Sequence, residues 1–235
     1  DFGESYNTGL PVFEEIFTRF PSTLKLSTVA MFFAALIGIP VGVISAVRQY
    51  SFTDAISTTL ALLFASIPSF VMGLVLMLVF SLHLRWLPAT GLDSIESYIL
   101  PALTLSTATM ATLVRMTRST MLEVLKQDYI RTARAKGVNE RTVVLKHALK
   151  NAMLPIVTVI GVDFGYLLGG TVVIESVFSI NGLGTLLITA IRMKDTPTVM
   201  AAIMFVTLAY SIVNLVVDII YAFIDPRIKS QYERG

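Results

Sequence analysis

The sequence has 235 residues, of which 54% are hydrophobic and 14% are charged, and its mean hydropathy is +0.75. Soluble domains carry about 25% charged residues, so this composition excludes an ordinary soluble protein and indicates a polytopic membrane protein. The net charge of +2 gives no argument for nucleic-acid binding, and the lack of cysteine excludes a disulfide framework and thiol chemistry.

The first 21 residues mix acidic and aromatic side chains and lack the pattern of a signal peptide. We expect residues 1–21 to be extracytoplasmic, with a short interfacial helix at 11–20. Residues 22–47 form the first apolar span, since about 20 apolar residues cross a bilayer. Lys25 lies near the outer end of this span, where a lysine side chain reaches the interface.

The second predicted span, residues 55–82, has Pro68 in its middle. Proline removes a backbone donor, and a broken helix survives in a membrane where the freed carbonyls face protein or water. We therefore expect Ser66, Pro68 and Ser69 to lie near a translocation path, with a packing kink as the alternative.

The third predicted span, residues 98–113, is rich in hydroxyl side chains. These can bond to backbone carbonyls one turn back, or they can line a polar path, to which we assign Thr107. The hydroxyl-bearing residues are Thr104, Ser106, Thr107, Thr109 and Thr112.

Residues 115–150, called the basic segment below, separate this span from the next. The basic segment holds nine of the 18 Lys and Arg residues and only three acidic residues. Loops rich in Lys and Arg stay on the cytoplasmic side of a membrane. The basic segment is therefore predicted to be cytoplasmic, which sets the orientation of every span.

Within the basic segment the apolar spacing predicts two short amphipathic helices. Gly137 is placed to end the first, because a residue without Cβ takes the left-handed conformation at low cost. Asn139 is placed to cap the second. From charge alone, the basic segment could equally lie on anionic lipid headgroups.

The fourth predicted span, residues 152–173, carries Asp163 near its middle. A carboxylate at that depth is costly and indicates function, so we interpret Asp163 as a pore-facing anion. The alternative is a carboxylate hydrogen-bonded to a neighbouring helix or to Tyr166.

Residues 174–196 are too interrupted by polar residues and glycine to span, apart from an amphipathic piece at 186–191. The fifth predicted span is 197–223. Near its cytoplasmic end, Asp218 and Asp225 are interpreted as structural ion-pair residues, with a substrate role as the alternative. Five spans place residue 1 outside and residue 235 inside.

Four strings carry a family resemblance: YIRTARAKG at 129–137, HALKNAMLP at 147–155, LLGGTVVIESVFSINGLG at 167–184 and VNLVVDIIYAFIDPRIK at 213–229. With them the chain resembles the permease subunits of binding-protein-dependent ABC importers, in particular the oligopeptide, dipeptide and nickel permease group. The resemblance covers almost all of residues 1–229.

The resemblance implies an all-α, polytopic transmembrane helical bundle with the type I ABC importer permease fold. Five spans lie in this chain, and a sixth helix is expected ahead of residue 1. The implied organisation is an extracytoplasmic segment at 1–21, a permease domain at 22–229 and a cytoplasmic tail at 230–235. The implied location is the cell (inner) membrane of a bacterium or archaeon.

In this family the cytoplasmic loop carries the "EAA" signature, whose short coupling helix docks on an ATPase subunit. Gly137 stands at the signature glycine, and Arg131, Thr132 and Ala133 stand where Glu-Ala-Ala would be, so only Ala133 and Gly137 match. This departure and the longer spacing to Pro155 are typical of the peptide-importer variant. The implied ATPase-coupling residues are Arg131, Thr132, Ala133, Arg134, Ala135, Lys136, Gly137 and Glu140.

The resemblance further implies that residues 174–196, called the scoop loop below, dip back toward the pore and face an external binding protein. Glu175, Gly182 and Gly184 would form its gate, the two glycines permitting a tight return. Asp163 would meet the cationic amino terminus of a peptide cargo.

The implied partners are a homologous second permease subunit, two ABC ATPase subunits, an extracytoplasmic peptide-binding protein, the peptide and the bilayer. The sequence has no G-x-x-x-x-G-K-[ST] string and no metal-ligand spacing, so ATP and Mg²⁺ are assigned to the partner ATPases. The alternative cargoes are a nickel chelate, a glutathione-like tripeptide or an oligosaccharide. A stand-alone secondary transporter would need paired intramembrane charges and two related halves.

Overall fold

The computed structural model describes residues 2–224, with the side chains at 218 and 220–224 left outside that description. The predicted ion-pair roles of Asp218 and Asp225 and the predicted tail at 230–235 therefore lie outside the described residues. The described part is nearly all helical, and its one isolated β-bridge joins Glu4 and Pro11.

Nine α-helices occur among the described residues. The end of α3 continues as a π-helix over Met77–His83, and α6 continues through a π-helix, Val143–Ala148, directly into α7. The helices are α1 (Val12–Val47), α2 (Phe52–Ser66), α3 (Ser69–Leu76), α4 (Ile99–Leu125), α5 (Asp128–Ala135), α6 (Glu140–Thr142), α7 (Leu149–Val177), α8 (Leu183–Arg192) and α9 (Thr196–Ile224).

Four helical stretches of the described chain are long and apolar enough to cross a membrane. A fifth arises when α2 and the stretch Ser69–His83 are counted together as one broken span. The interruption falls at Ile67 and Pro68, as the mid-span proline predicted. The all-α, polytopic transmembrane fold class predicted from the sequence is confirmed, and the described residues contain four spans, or five with the bent pair counted as one.

The first helix differs from its prediction, because it runs unbroken from Val12 to Val47 and no separate interfacial helix forms at 11–20. Val12 and Ile16 are fully buried and pack in a cluster with Leu183 and Ala201. Burial of this added apolar face stabilises the extra turns, so tertiary packing extends the helix beyond its apolar span.

The second helix of the basic segment is also longer than predicted. From Glu140 the helical chain continues to Val177, with Pro155 inside it. Its buried residues recur about every four positions and form one core-facing stripe. Packing of this stripe outweighs the cost of an internal proline. The buried residues are Val143, Val144, Ala148, Ala152 and Ile156.

The chain divides into two compact units. The first contains residues 1–33, 67–107 and 163–213, and the second contains 34–66, 108–162 and the residues from 214 onward.

In the second unit α1 and α4 approach closely: a Cβ added to Gly38 would lie 2.9 Å from Leu113 Cβ, and one added to Gly42 would lie 2.6 Å from Thr117 Cβ. Small residues at such crossings let two membrane helices meet at their backbones.

Candidate functional site

Helix α5 packs against the rest of the second unit with one face and exposes the other face. Ile130 is fully buried in the core cluster that contains Ala46, Met121 and Val143, and Ala133 is partly buried against it. The remaining predicted coupling residues are exposed, so α5 presents small and basic side chains on a firmly packed support. These exposed residues are Arg131, Thr132, Arg134, Ala135, Lys136, Gly137 and Glu140.

Gly137 ends α5 in the predicted way. Its φ is +76°, and the Val138 amide donates to the Ala133 carbonyl at 3.2 Å. A Cβ on Gly137 would have nothing within 4 Å. The glycine is therefore required by backbone conformation and not by space, because side chains disfavour the left-handed region.

Two polar contacts fix the turn that follows Gly137. The Asn139 side chain accepts a hydrogen bond from the Arg141 amide at 2.9 Å, which makes it the helix cap that the sequence predicted. The Arg134 guanidinium binds Glu140 through Nη2–Oε1 at 2.6 Å and Nε–Oε2 at 3.1 Å. Exposed pairs contribute little to stability, but a two-bond pair fixes the geometry of the turn.

A buried ion pair in the second unit was missed from the sequence. Asp54 is 4% exposed, and its carboxylate accepts from Arg118 Nε at 2.7 Å and Nη2 at 2.8 Å. Ser45 Oγ donates to it at 2.5 Å and the Tyr50 amide at 2.9 Å. The cluster joins α1, α2 and α4. Arg118, which the sequence prediction counted among the loop cations, is neutralised inside the protein.

The signal that could have revealed this pair is local. Asp54 lies in the first turn of a helix, three residues after Ser51, whose hydroxyl accepts from the Asp54 amide at 3.3 Å. An acid so close to an apolar span requires a partner. The partner is 64 residues away in the chain, and no local pattern distinguishes Arg118 from the other eight cations of the basic segment.

The three predicted gate residues of the scoop loop lie together in the first unit. Glu175 is fully buried, and its carboxylate accepts from Thr23 Oγ1 at 2.6 Å and from the Thr185 amide at 3.0 Å. Thr23 Oγ1 also accepts from the Leu183 amide at 2.9 Å. The carboxylate therefore lies at the amino-terminal end of α8, where the helix dipole favours negative charge.

The glycines beside Glu175 are required for space. Gly182 has an extended backbone, with φ −120°, and a Cβ there would lie 2.4 Å from Glu175 Cδ. A Cβ on Gly184 would lie 2.3 Å from Val172 Cα. The sequence analysis attributed these glycines to backbone freedom, but the structure shows that close packing excludes a side chain at both positions.

A second carboxylate cluster in the first unit was also missed. Asp195 is 2% exposed and accepts from Ser5 Oγ at 2.5 Å, Thr198 Oγ1 at 2.9 Å and the Tyr6 amide at 3.2 Å. Burial raises the pKa of the Asp195 carboxyl, but the hydrogen bonds outweigh burial and leave the pKa below its ordinary value. The cluster ties the amino-terminal segment to the start of α9.

The predicted path residues are divided between the two units. Ser66 Oγ donates to its own helix at the Leu62 carbonyl, 2.8 Å away, and Thr107 Oγ1 donates to the Thr104 carbonyl at 2.9 Å. Backbone bonding is one of the two roles predicted for the hydroxyls. Ser66 belongs to the second unit, whereas Pro68, Ser69 and Thr107 belong to the first.

Asp163 is partly buried in α7, in the first unit. The predicted alternative, a hydrogen bond to Tyr166, does not form. Tyr166 is 67% exposed and packs edge-on to Tyr210, with ring centroids 6.3 Å apart. Within the described residues the Asp163 carboxylate accepts no hydrogen bond, so nothing there compensates for its partial burial.

Comparison with known proteins identifies the family. The family described as "Binding-protein-dependent transport system inner membrane component" matches residues 38–230. The chain belongs to this family. The matched range includes the basic segment, the scoop loop and Asp163, so the candidate sites lie within the family's shared region.

Two relatives of the chain have names that state their cargo. Over 229 residues the chain is 47% identical to the "Glutathione transport system permease protein GsiC" of Salmonella choleraesuis (strain SC-B67). It is also 47% identical to the protein of that name in Escherichia coli (strain K12). Each alignment covers 97% of this chain and 75% of the relative.

Solved structures show the same fold. A chain of the inward-facing MetNI methionine ABC transporter superposes with a TM-score of 0.79 at 18% identity, covering 92% of this chain and 98% of that chain. An amino acid ABC transporter with histidines gives 0.63 at 16% identity, covering 92% and 94%. The predicted family, fold and membrane location are confirmed: the protein is a multi-pass ABC importer permease subunit of the inner membrane.

Proposed function

We propose that this permease subunit forms half of the translocation pathway for short peptides, dipeptides or oligopeptides, in an ATP-driven importer. A homologous subunit supplies the other half, two ABC ATPase subunits bind ATP and Mg²⁺ and hydrolyse the nucleotide, and an extracytoplasmic binding protein delivers the cargo. Family membership supports this assembly over a stand-alone transporter.

The observation that carries the proposal is the way α5 is held. One face of α5 is buried through Ile130, while Thr132 and Ala135 on the other face, and Lys136 directly after the helix, are exposed. A docking element that transmits force needs both a rigid base and a free surface. ATP-driven closure of the ATPase pair would push on this surface and shift the spans between inward-open and outward-open states.

A peptide is the favoured cargo for two reasons. Relatives at 47% identity are named as glutathione permeases, and glutathione is a tripeptide. Asp163 offers a carboxylate without a hydrogen-bond donor among the described side chains, which suits a cationic amino terminus. A nickel chelate or another small solute of the same family is the alternative cargo.

The scoop loop is proposed to face the binding protein. Because Glu175, Gly182 and Gly184 are closely packed and Glu175 is fully buried, their role is to hold the loop in shape. We assign them to the framework of the extracytoplasmic gate and assign no cargo contact to Glu175.

Coupling is tested by adding bulk to the exposed face of α5. Ala135→Trp leaves the buried face intact, so we expect normal insertion but weaker ATPase association and at least a roughly tenfold loss of stimulated hydrolysis. The assay is ATPase activity and peptide uptake by the whole complex in liposomes. Thr90→Trp, on an exposed loop of the first unit, is the matched control. Wild-type coupling in Ala135→Trp would overturn the assignment.

Cargo binding is tested at Asp163. We expect Asp163→Asn to raise the KM for uptake of a peptide with a free amino terminus by about tenfold, because a charge-assisted contact is lost. Uptake of the same peptide with an acetylated amino terminus should not respond to the substitution. Equal effects on both peptides, or transport of nickel chelates alone, would exclude the proposed contact.

A further inference from the structure

A groove of about 420 Å³ opens in the second unit between the end of α1 and the first turns of the helix that begins at Glu140. Ile44 and Val47 line one wall, and Val144 and Leu145 line the other. Three of these four side chains are between 44% and 49% exposed. The groove is therefore apolar, open and accessible.

Charged residues form one end of the groove. Arg48 follows directly after Val47, the last residue of α1, and on the other wall Arg141 precedes Val144 by three residues. The order of cation and apolar residues is reversed between the two segments, as expected for a chain that reaches the membrane surface and returns. Each wall thus passes from cationic to apolar within one helical turn.

The charge at this end is available for a ligand. Glu140 is the acidic residue of the lining, and Arg134 binds both of its carboxylate oxygens. Arg48 and Arg141 make no side-chain hydrogen bond or ion pair with any residue in the described part of the chain. Two guanidinium groups without a partner among the described residues therefore border an apolar groove.

We propose that this groove binds an anionic phospholipid of the cytoplasmic leaflet, with an acyl chain along the apolar walls and the phosphate between Arg48 and Arg141. Guanidinium groups bind phosphate through paired hydrogen bonds, and basic pockets at the cytoplasmic surface attract anionic headgroups. The proposal rests on the proposed function, in which α5 meets an ATPase subunit and the basic segment is therefore cytoplasmic.

The position of the apolar wall favours lipid over a soluble partner. Ile44 and Val47 belong to the last turn of a helix whose apolar window is long enough to span the membrane. A water-soluble subunit that covered them would have to enter the hydrocarbon boundary, whereas an acyl chain is already there. The groove therefore differs from the exposed face of α5, which lies wholly within the basic segment.

Photo-crosslinking identifies the occupant in the intact complex. Benzoylphenylalanine replaces Leu145, the complex is reconstituted in vesicles of phosphatidylglycerol and phosphatidylcholine in equal amounts, and adducts are identified by mass. We expect phosphatidylglycerol adducts to exceed phosphatidylcholine adducts by about fivefold or more, the preference that one membrane-surface arginine confers. The same probe at Leu208, an exposed residue of α9, should report the bulk lipid ratio.

Charge neutralisation shows whether the arginines select the lipid. Arg48→Gln with Arg141→Gln should bring the adduct ratio at position 145 down to the ratio at position 208. Lys126→Gln, an exposed cation outside the groove, should leave the ratio unchanged.

Two results would overturn the lipid proposal: an adduct with an ATPase subunit, or equal lipid ratios at positions 145 and 208. Neither result bears on Ala135→Trp. Conversely, wild-type coupling in Ala135→Trp together with anionic adducts at position 145 would remove the coupling assignment and leave the lipid site standing.

Discussion

Asp54 and Glu175 are both buried carboxylates, but their hydrogen-bond donors differ in kind. Asp54 binds an arginine through two charge-assisted hydrogen bonds, whereas the described contacts of Glu175 come from a threonine hydroxyl and a backbone amide. Removal of Asp54 would leave the partly buried Arg118 without its counter-charge, whereas neutral donors leave no charge behind. The Asp54 cluster should therefore be the more sensitive to loss of charge.

Two glycines show a parallel difference. Gly137 has space around it but a left-handed backbone, and Gly184 has an ordinary backbone but a neighbouring Cα where a side chain would lie. The first excludes side chains by conformation and the second by contact. The residue type alone does not distinguish these two causes, but the stability of substituted variants does.

The largest effect is expected for Asp54→Asn. Breaking a buried pair leaves Arg118 without a counter-charge and should lower the free energy of unfolding by about 3 kcal/mol. Unfolding in mixed micelles measures the change. Asp128→Asn is the control, because the Asp128–Arg131 pair spans 3.5 Å between side chains that are 97% and 74% exposed, and its loss should be small. Similar losses in both variants would break the comparison.

Gly184→Ala should have the next largest effect. Its Cβ would meet the Val172 backbone, which cannot rotate away, so we expect a loss of about 2 kcal/mol from overpacking. Gly169→Ala provides the control in α7, because a Cβ there meets nothing within 4 Å and alanine favours helix. A wild-type unfolding free energy in Gly184→Ala would show that the scoop loop accommodates a side chain.

Gly137→Ala should cost about 1 kcal/mol, the price of a left-handed alanine, and the cost should be confined to the turn. Hydrogen exchange at the amides following α5 should become faster. Gly137→Asn should cost less, because asparagine enters this region more readily. If alanine and asparagine cost the same, the left-handed backbone would not be the reason for the glycine at this position.

The smallest expected effect is the pH dependence contributed by Asp195. Its pKa is lowered by folding, so the unfolded state binds the proton more tightly. The resulting stabilisation is fully present above the ordinary carboxyl pKa of about 3.9 and is lost as pH falls through the lower folded value. Acid unfolding of Asp195→Asn should lack this component. An unchanged acid profile would mean that the Ser5 and Thr198 hydrogen bonds do not favour the charged form.

The sequence predicted what local rules control. Charge and apolar length defined the spans, and Gly137 and Asn139 were assigned their turn and cap because each acts within a few residues. The extension of α1 to Val12 was missed, since it depends on packing against distant residues. The Asp54–Arg118 pair was missed for the same reason: a sequence shows both charges and not their separation.

The close seam between α1 and α4 has a consequence for ion leakage. Gly38 and Gly42 leave less than a side chain's width against Leu113 and Thr117, so no file of water can form between these helices in the second unit. A permease must pass its cargo without discharging the proton gradient of its membrane. At Gly38 and Gly42 the two helices leave no room for a water molecule, so a hydrated route through the second unit would have to follow other helix faces.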